Sequence, residues 1–235
     1  MNTTIPQKLV WNPGTLLSPV PPALVTCGTL ENPNVLTIAW TGIVNTIPPM
    51  TYISVRPQRY SYPLIRQSEE FVINLTTASL VPAADFCGVR SGAKVDKFQQ
   101  CHLTPAPASK VSAPLLAESP LNLECKVKQI LELGSHHLFL AEIVAMDVSP
   151  ELVDDQGKLH LERAHLAAFA HGEYFELGRS LGTFGYTVRK KKGNNKTKGP
   201  QRRPGSSAQE RSPKGSAHPS QEAHRGSFSP KRGKR

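Results

Sequence analysis

Four short segments carry side chains whose types and spacing could do chemistry. In Asn34-Val-Leu-Thr-Ile-Ala-Trp-Thr41, Trp40 is a flat, polarizable wall of the kind that flanks a planar cofactor, and it also reads as the core tryptophan of a buried strand. Arg59-Tyr-Ser61 stands at an expected helix start. Helix N-termini with a nearby Ser and Arg hold phosphate well, and the same residues make an ordinary cap. Ser91-Gly-Ala-Lys-Val-Asp-Lys97-Phe98 adds Lys94 and Lys97, which taken singly are surface charges. His136-His137 joins a turn to a strand. Adjacent strand residues point to opposite faces, so the pair cannot chelate one metal ion, and it reads as one exposed and one half-buried histidine. Ser, His and Asp are all present, but the Gly-x-Ser-x-Gly elbow of a hydrolase is not.

The elements that must position these groups are mostly strands. Ala23–Thr29, Val35–Thr46, Thr51–Arg56 and Glu70–Leu75 are rich in Val, Ile, Thr and Leu, and each is bounded by Pro, Gly or Asn. From residue 121, Leu, Leu, Cys and Val alternate with Asn122, Glu124, Lys126 and Lys128, the period of a strand with one wet face. Gly134-Ser135 suits a turn. The apolar run His137–Val148 then predicts a strand covered on both faces, by a core and by a helix or second subunit. Helices are few. Tyr60–Ser68, with Ser61 as N-cap and Pro63 in the first turn, is one; Leu80–Cys87 and Val95–Cys101 are others. A Pro/Ala stretch from Thr104 to Pro114 reads as an extended linker. Many short strands without βαβ alternation, and with neither a Gly-x-Gly-x-x-Gly nor a P-loop, predict an antiparallel barrel rather than a dinucleotide-binding sheet.

Charge separates a body from a tail. The chain has 235 residues, 28 Lys+Arg and 18 Asp+Glu. Residues 189–235 hold 15 of the basic and 2 of the acidic ones, a net of +13, which leaves 13 basic and 16 acidic residues and a net of −3 for residues 1–188. The basic excess therefore belongs to a segment too poor in apolar residues to fold, and the body is not a basic nucleic-acid-binding domain. The expected domains are 1–188 and a disordered basic tail, 189–235. Lys/Arg clusters in that tail could bind polyanions by counterion release. No stretch approaches the roughly 18–20 apolar residues of a membrane span, and Met1–Lys8 does not read as a signal peptide. Cys27, Cys87, Cys101 and Cys125 form no Cys-x-x-Cys pair and read as reduced thiols, with neither a metal site nor a disulfide frame. A cytoplasmic address is expected.

Taken in order, the segments Asn34–Trp40, Arg59–Ser61, Phe71–Leu75, Ser91–Phe98, Gly134–His136, and Phe169 before Gly172-Glu173-Tyr174 resemble the flavin reductase-like family, nearest its flavoredoxin-type branch. The resemblance covers about residues 9–186. It implies the FMN-binding split barrel, an antiparallel Greek-key β-barrel with short helices. It implies a homodimer that binds FMN non-covalently and transfers hydride or electrons between NAD(P)H and flavin or a protein electron acceptor. Position by position, it implies that Asn34, Thr37 and Trp40 contact the flavin and its ribityl chain. Arg59 and Ser61 would hold the phosphate, Ser91 and Lys97 would add donors, His136 would lie near the flavin edge, and Phe169 would pack on the ring. No catalytic side chain is implied, because the cofactor carries the chemistry.

Overall fold

The computed structural model describes residues 7–189, and the expected tail, Arg189 apart, lies outside them. Two compact units divide the chain, Met1–Leu181 and Gly182–Arg235. The described part of the second contains one 3-10 turn, Tyr186–Val188. The sheet, helices and cavities belong to the first.

Seven strands form one antiparallel sheet. They are β1 (Ala23–Gly28), β2 (Pro33–Ile38), β3 (Thr41–Thr46), β4 (Pro49–Val55), β5 (Glu70–Asn74), β8 (Leu121–Glu132) and β9 (His137–Val148), in the order β2-β1-β5-β8-β9-β4-β3. The interposed β6 (Pro105–Ala106) and β7 (Leu115–Leu116) pair with each other, as do β10 (Ala167–Ala170) and β11 (Glu173–Glu176). Alternation decides what each face of β1 meets. Val25 and Cys27 join a core with Ile53, Phe71, Phe139 and Ala141, while Leu24 joins a second core with Val35, Leu80, Phe98 and Leu116. α1 (Ser61–Ser68) closes the first core with Tyr62 and Ile65. α2 (Val81–Val89) and α3 (Lys97–Gln100) cover the second with Ala84, Cys87 and Phe98. At the end of β1, Gly28 adopts φ +85°, and a Cβ there would lie 2.4 Å from the Asn32 carbonyl oxygen, so the β1–β2 turn requires glycine.

Four expectations need revision. The run Val35–Thr46 is two strands, broken at Ala39-Trp40, whose carbonyl at Trp40 accepts the Ser54 N–H of β4 at 3.0 Å. Ser61 is not the cap of α1: Tyr60 holds that position without a side-chain bond, and Ser61 is the first helical residue. The residues from Thr104 to Pro114 are no free linker, since β6 near their start pairs with β7 just beyond their end and Glu124 anchors their middle. Glu124 is fully buried, so the alternate face of β8 is wet only from Lys126 onward. Its carboxylate accepts the N–H groups of Ser109, Lys110 and Val111 and the Ser109 hydroxyl, and bulges at Glu124/Cys125 and Val127/Gln129 shift the facing of the residues beyond. β9 buries Phe139 and Ala141 in the first core and leaves Leu138, Leu140 and Glu142 half-buried on the face expected to meet a helix or second subunit.

Candidate functional site

The site grows from the break between β2 and β3. Inside β2, Asn34 is buried and its amide nitrogen donates to Ser61 Oγ at 2.7 Å, tying the strand to the first turn of α1. Three residues on, the Thr37 hydroxyl donates to the Ala84 carbonyl of α2. The chain then leaves the sheet and exposes Trp40 to 41%, so its indole is a wall and not core. Trp40 meets His136 with ring centroids 4.6 Å apart and planes at 42°. Ser135 Oγ lies 3.0 Å from His136 Nδ1 and orients that ring. His137 turns the other way, to the Tyr62 hydroxyl at 2.7 Å, and neither histidine is fully exposed.

These residues line two adjoining cavities. One, of about 170 Å³, is bounded by Thr37, Trp40, Arg56, Arg59 and His136. The other, of about 90 Å³, is bounded by Arg59, Ser61, Arg90, Ser91, Gly92 and Lys97. Leu36, Thr37 and Arg59 line both, so the two form one groove along β2. Asn34 stands behind it, in a cavity that shares Tyr60, Gly92 and Lys97 with the second. Phe169 lies in a further cavity of about 280 Å³, across Trp40 and beside Leu16, Leu17 and His171. Its ring packs edge-on against Tyr174, with centroids 5.1 Å apart. Seven of the nine expected residues thus line the groove, and Asn34 and Phe169 occupy its neighbouring cavities.

The groove is cationic. Arg56, Arg59, Arg90 and Lys97 line it, and no carboxylate does. The Arg and Lys ion pairs of the described residues lie elsewhere, at Arg66, Lys126 and Lys128. Lys97 is no surface charge: it is 5% exposed, and its ammonium donates to the carbonyls of Val35 at 2.7 Å and Cys87 at 2.8 Å, leaving one donor free. Burial pulls its pKa below the ordinary lysine value. Desolvation, with Arg56 and Arg59 nearby, likewise holds His136 below the ordinary imidazole value.

Sequence reasoning missed Arg56 and Arg90, and gave Gly92 no role beyond its place in the Ser91–Phe98 pattern. A Cβ on Gly92 would sit 2.1 Å from Asn34 Oδ1 and 2.8 Å from a Tyr60 ring carbon, so only glycine lets this loop close on β2 and α1. Arg56 had a legible signal. Pro57 follows it, and the turn in which the Arg59 N–H donates to the Arg56 carbonyl at 3.0 Å brings both arginines to one cavity.

Residues 16–178 match the model of the flavin reductase like domain. The chain belongs to the flavin reductase-like family. Its fold is similar to that of the flavoredoxin of Desulfovibrio vulgaris (Miyazaki F), with 30% identity and a TM-score of 0.72 over 78% of this chain and 100% of that one. The flavoredoxin of Methanosarcina acetivorans gives 26% identity and a TM-score of 0.72, over 78% of this chain and 98% of that one. An uncharacterized protein of Archaeoglobus fulgidus is 34% identical over 128 residues, which are 54% of this chain and 72% of the relative. The mainly β split barrel of this flavin reductase-like protein is therefore the fold the sequence predicts. Among the described residues no helix is long and apolar enough to cross a membrane.

Proposed function

We propose that this flavin reductase-like protein binds FMN non-covalently and transfers hydride or electrons between NAD(P)H and the flavin or a further acceptor. One observation carries the reading: a single groove runs from an end lined by Ser61, Ser91, Arg90 and Lys97 to an end walled by the indole of Trp40 and the imidazole of His136, with Arg59 reaching both. A phosphate of charge near −2 suits the first end, where Arg59, Ser61, Ser91 and the free donor of Lys97 converge. A planar ring suits the second, between Thr37, Trp40 and His136. When bound, FMN supplies the redox chemistry. The chain's residues hold it, orient its edge and place the His136 imidazole beside it. Asn34 acts through Ser61, whose hydroxyl it fixes, and Phe169 closes the far side of Trp40.

The outer, half-covered face of β9 and the exposed Ile43 and Val44 of β3 support a homodimer, and the address proposed with this reading is cytoplasmic. A flavoredoxin-like electron carrier is the second reading, favoured by the 30% identity to a flavoredoxin along its whole length. A non-turnover FMN module is the third. The purified protein is expected to carry, or take up, about one FMN per chain. Equilibrium dialysis that finds no binding at tens of micromolar, a weak range for such a cofactor, ends all three readings. NADH and NADPH oxidation with and without a protein acceptor then divides reductase, carrier and module.

A further inference from the structure

We infer that Arg56 supplies the positive charge that stabilises the flavin ring once reduction makes it anionic, and so sets the midpoint potential of bound FMN. The inference rests on the FMN reading and starts from a count of charges. Four cations face a groove without a carboxylate, and a phosphate near −2 does not need them all. Their placement sorts them. Arg90 and Lys97 line only the phosphate end, Arg59 lines both cavities, and Arg56 lines only the ring end, with Trp40 and His136.

The ring needs such a charge because its N1–C2=O edge becomes negative on reduction, and cofactor potentials respond to charge placed near it. Arg59 lines this end too but also reaches the phosphate end, and desolvation, with Arg56 and Arg59 nearby, lowers the pKa of His136. Arg56 also sits on rigid backbone. It follows the buried Val55 at the end of β4, and its carbonyl accepts the Arg59 N–H across the Pro57 turn. The turn thus holds the Arg56 backbone at this end before the charge develops. Because Arg56 is exposed, water and salt screen the effect, which is therefore modest.

The test compares wild type, Arg56→Lys and Arg56→Gln, reading the Kd of oxidised FMN and of riboflavin by fluorescence quenching and the midpoint potential by equilibration with a reference dye. Arg56→Gln should leave oxidised FMN within about threefold of wild type and weaken reduced FMN about tenfold, which for a two-electron couple lowers the potential by about 30 mV. Arg56→Lys, which keeps the charge, should stay near wild type, and added salt should shrink the gap to Arg56→Gln. An unchanged potential in Arg56→Gln overturns the inference, as does an equal fall in Arg56→Lys. A loss of FMN affinity that riboflavin does not share, at constant potential, assigns Arg56 to the phosphate and overturns it too. If wild type binds no FMN, the proposed function falls and takes this inference with it. Normal FMN binding with an unmoved potential removes this inference alone.

Discussion

Lys97 shows how a residue can be expected for one reason and placed by another. The Ser-Gly-x-x-x-Asp-Lys-Phe resemblance marks it as a ligand donor, and its neighbours in sequence give no sign that it is buried. Asp96 caps α3 through the Gln99 N–H at 3.1 Å, and that short helix turns Lys97 inward beneath β2. Two predictions follow from its doubled role. Lys97→Ala should weaken FMN more than riboflavin, by roughly ten- to a hundred-fold, since one charge-assisted hydrogen bond contributes about 1.5–3 kcal/mol. It should also lower the melting temperature of the ligand-free protein, because the Val35 and Cys87 carbonyls lose a buried donor. Equal losses for FMN and riboflavin would move Lys97 from phosphate to ring, and an unchanged melting temperature would refute the structural role. Trp40, Arg59 and Ser61 were legible because each lies in a local pattern. Arg90 and Gly92 were not, because what defines them is the approach of a loop to a strand more than fifty positions away.

At the scale of elements, strands were easier to read than the segments between them. Alternation located β8, but it marks a face, not what covers that face, and so the full burial of Glu124 was invisible. A Pro/Ala stretch looks like a linker until a buried carboxylate collects its N–H groups. Burial pushes the Glu124 carboxyl up, but the Ser109 and Lys110 donors outweigh this and hold it below the ordinary glutamate value. Beside it, burial and then Glu124 itself raise the pKa of Asp147. For a depressed carboxyl the stabilisation is complete above the unfolded pKa and is lost as pH falls through the lower, folded one. Glu124→Gln should therefore destabilise the protein by about 1–3 kcal/mol at pH 7 in urea titrations, with a smaller difference in acid. A constant difference down to the acid limit would rule out the carboxylate as the anchor. His160 predicts the opposite slope for the segment after β9. Asp154 and Glu162 bond its two ring nitrogens at 2.8 Å each, and both raise its pKa, Asp154 more. Its contribution is complete below the ordinary imidazole value and is lost as pH rises through the higher, folded one. The His160 ring signal in an NMR titration should report that raised midpoint, and a midpoint at or below the ordinary value would contradict the pairing.

For the whole molecule, the sequence divides charge more sharply than structure, and the division can be tested without knowing what the tail touches. The first 188 residues are net −3 and the last 47 are net +13. Every residue proposed to bind FMN lies between Asn34 and Phe169, inside the unit that ends at Leu181. Truncation after Val188 should therefore leave FMN affinity and melting temperature nearly unchanged, and it should abolish retention on heparin, because a net-negative body has no long-range attraction for a polyanion. Arg56, Arg59 and Arg90 in the groove are exposed, so the groove is the body's own rival site for a polyanion. The sharpest comparison is heparin elution of the truncated protein with and without FMN. Retention that survives truncation and disappears when FMN is added would show that the groove, not the tail, is the polyanion site. Loss of FMN on truncation would show that the two parts of the chain are coupled.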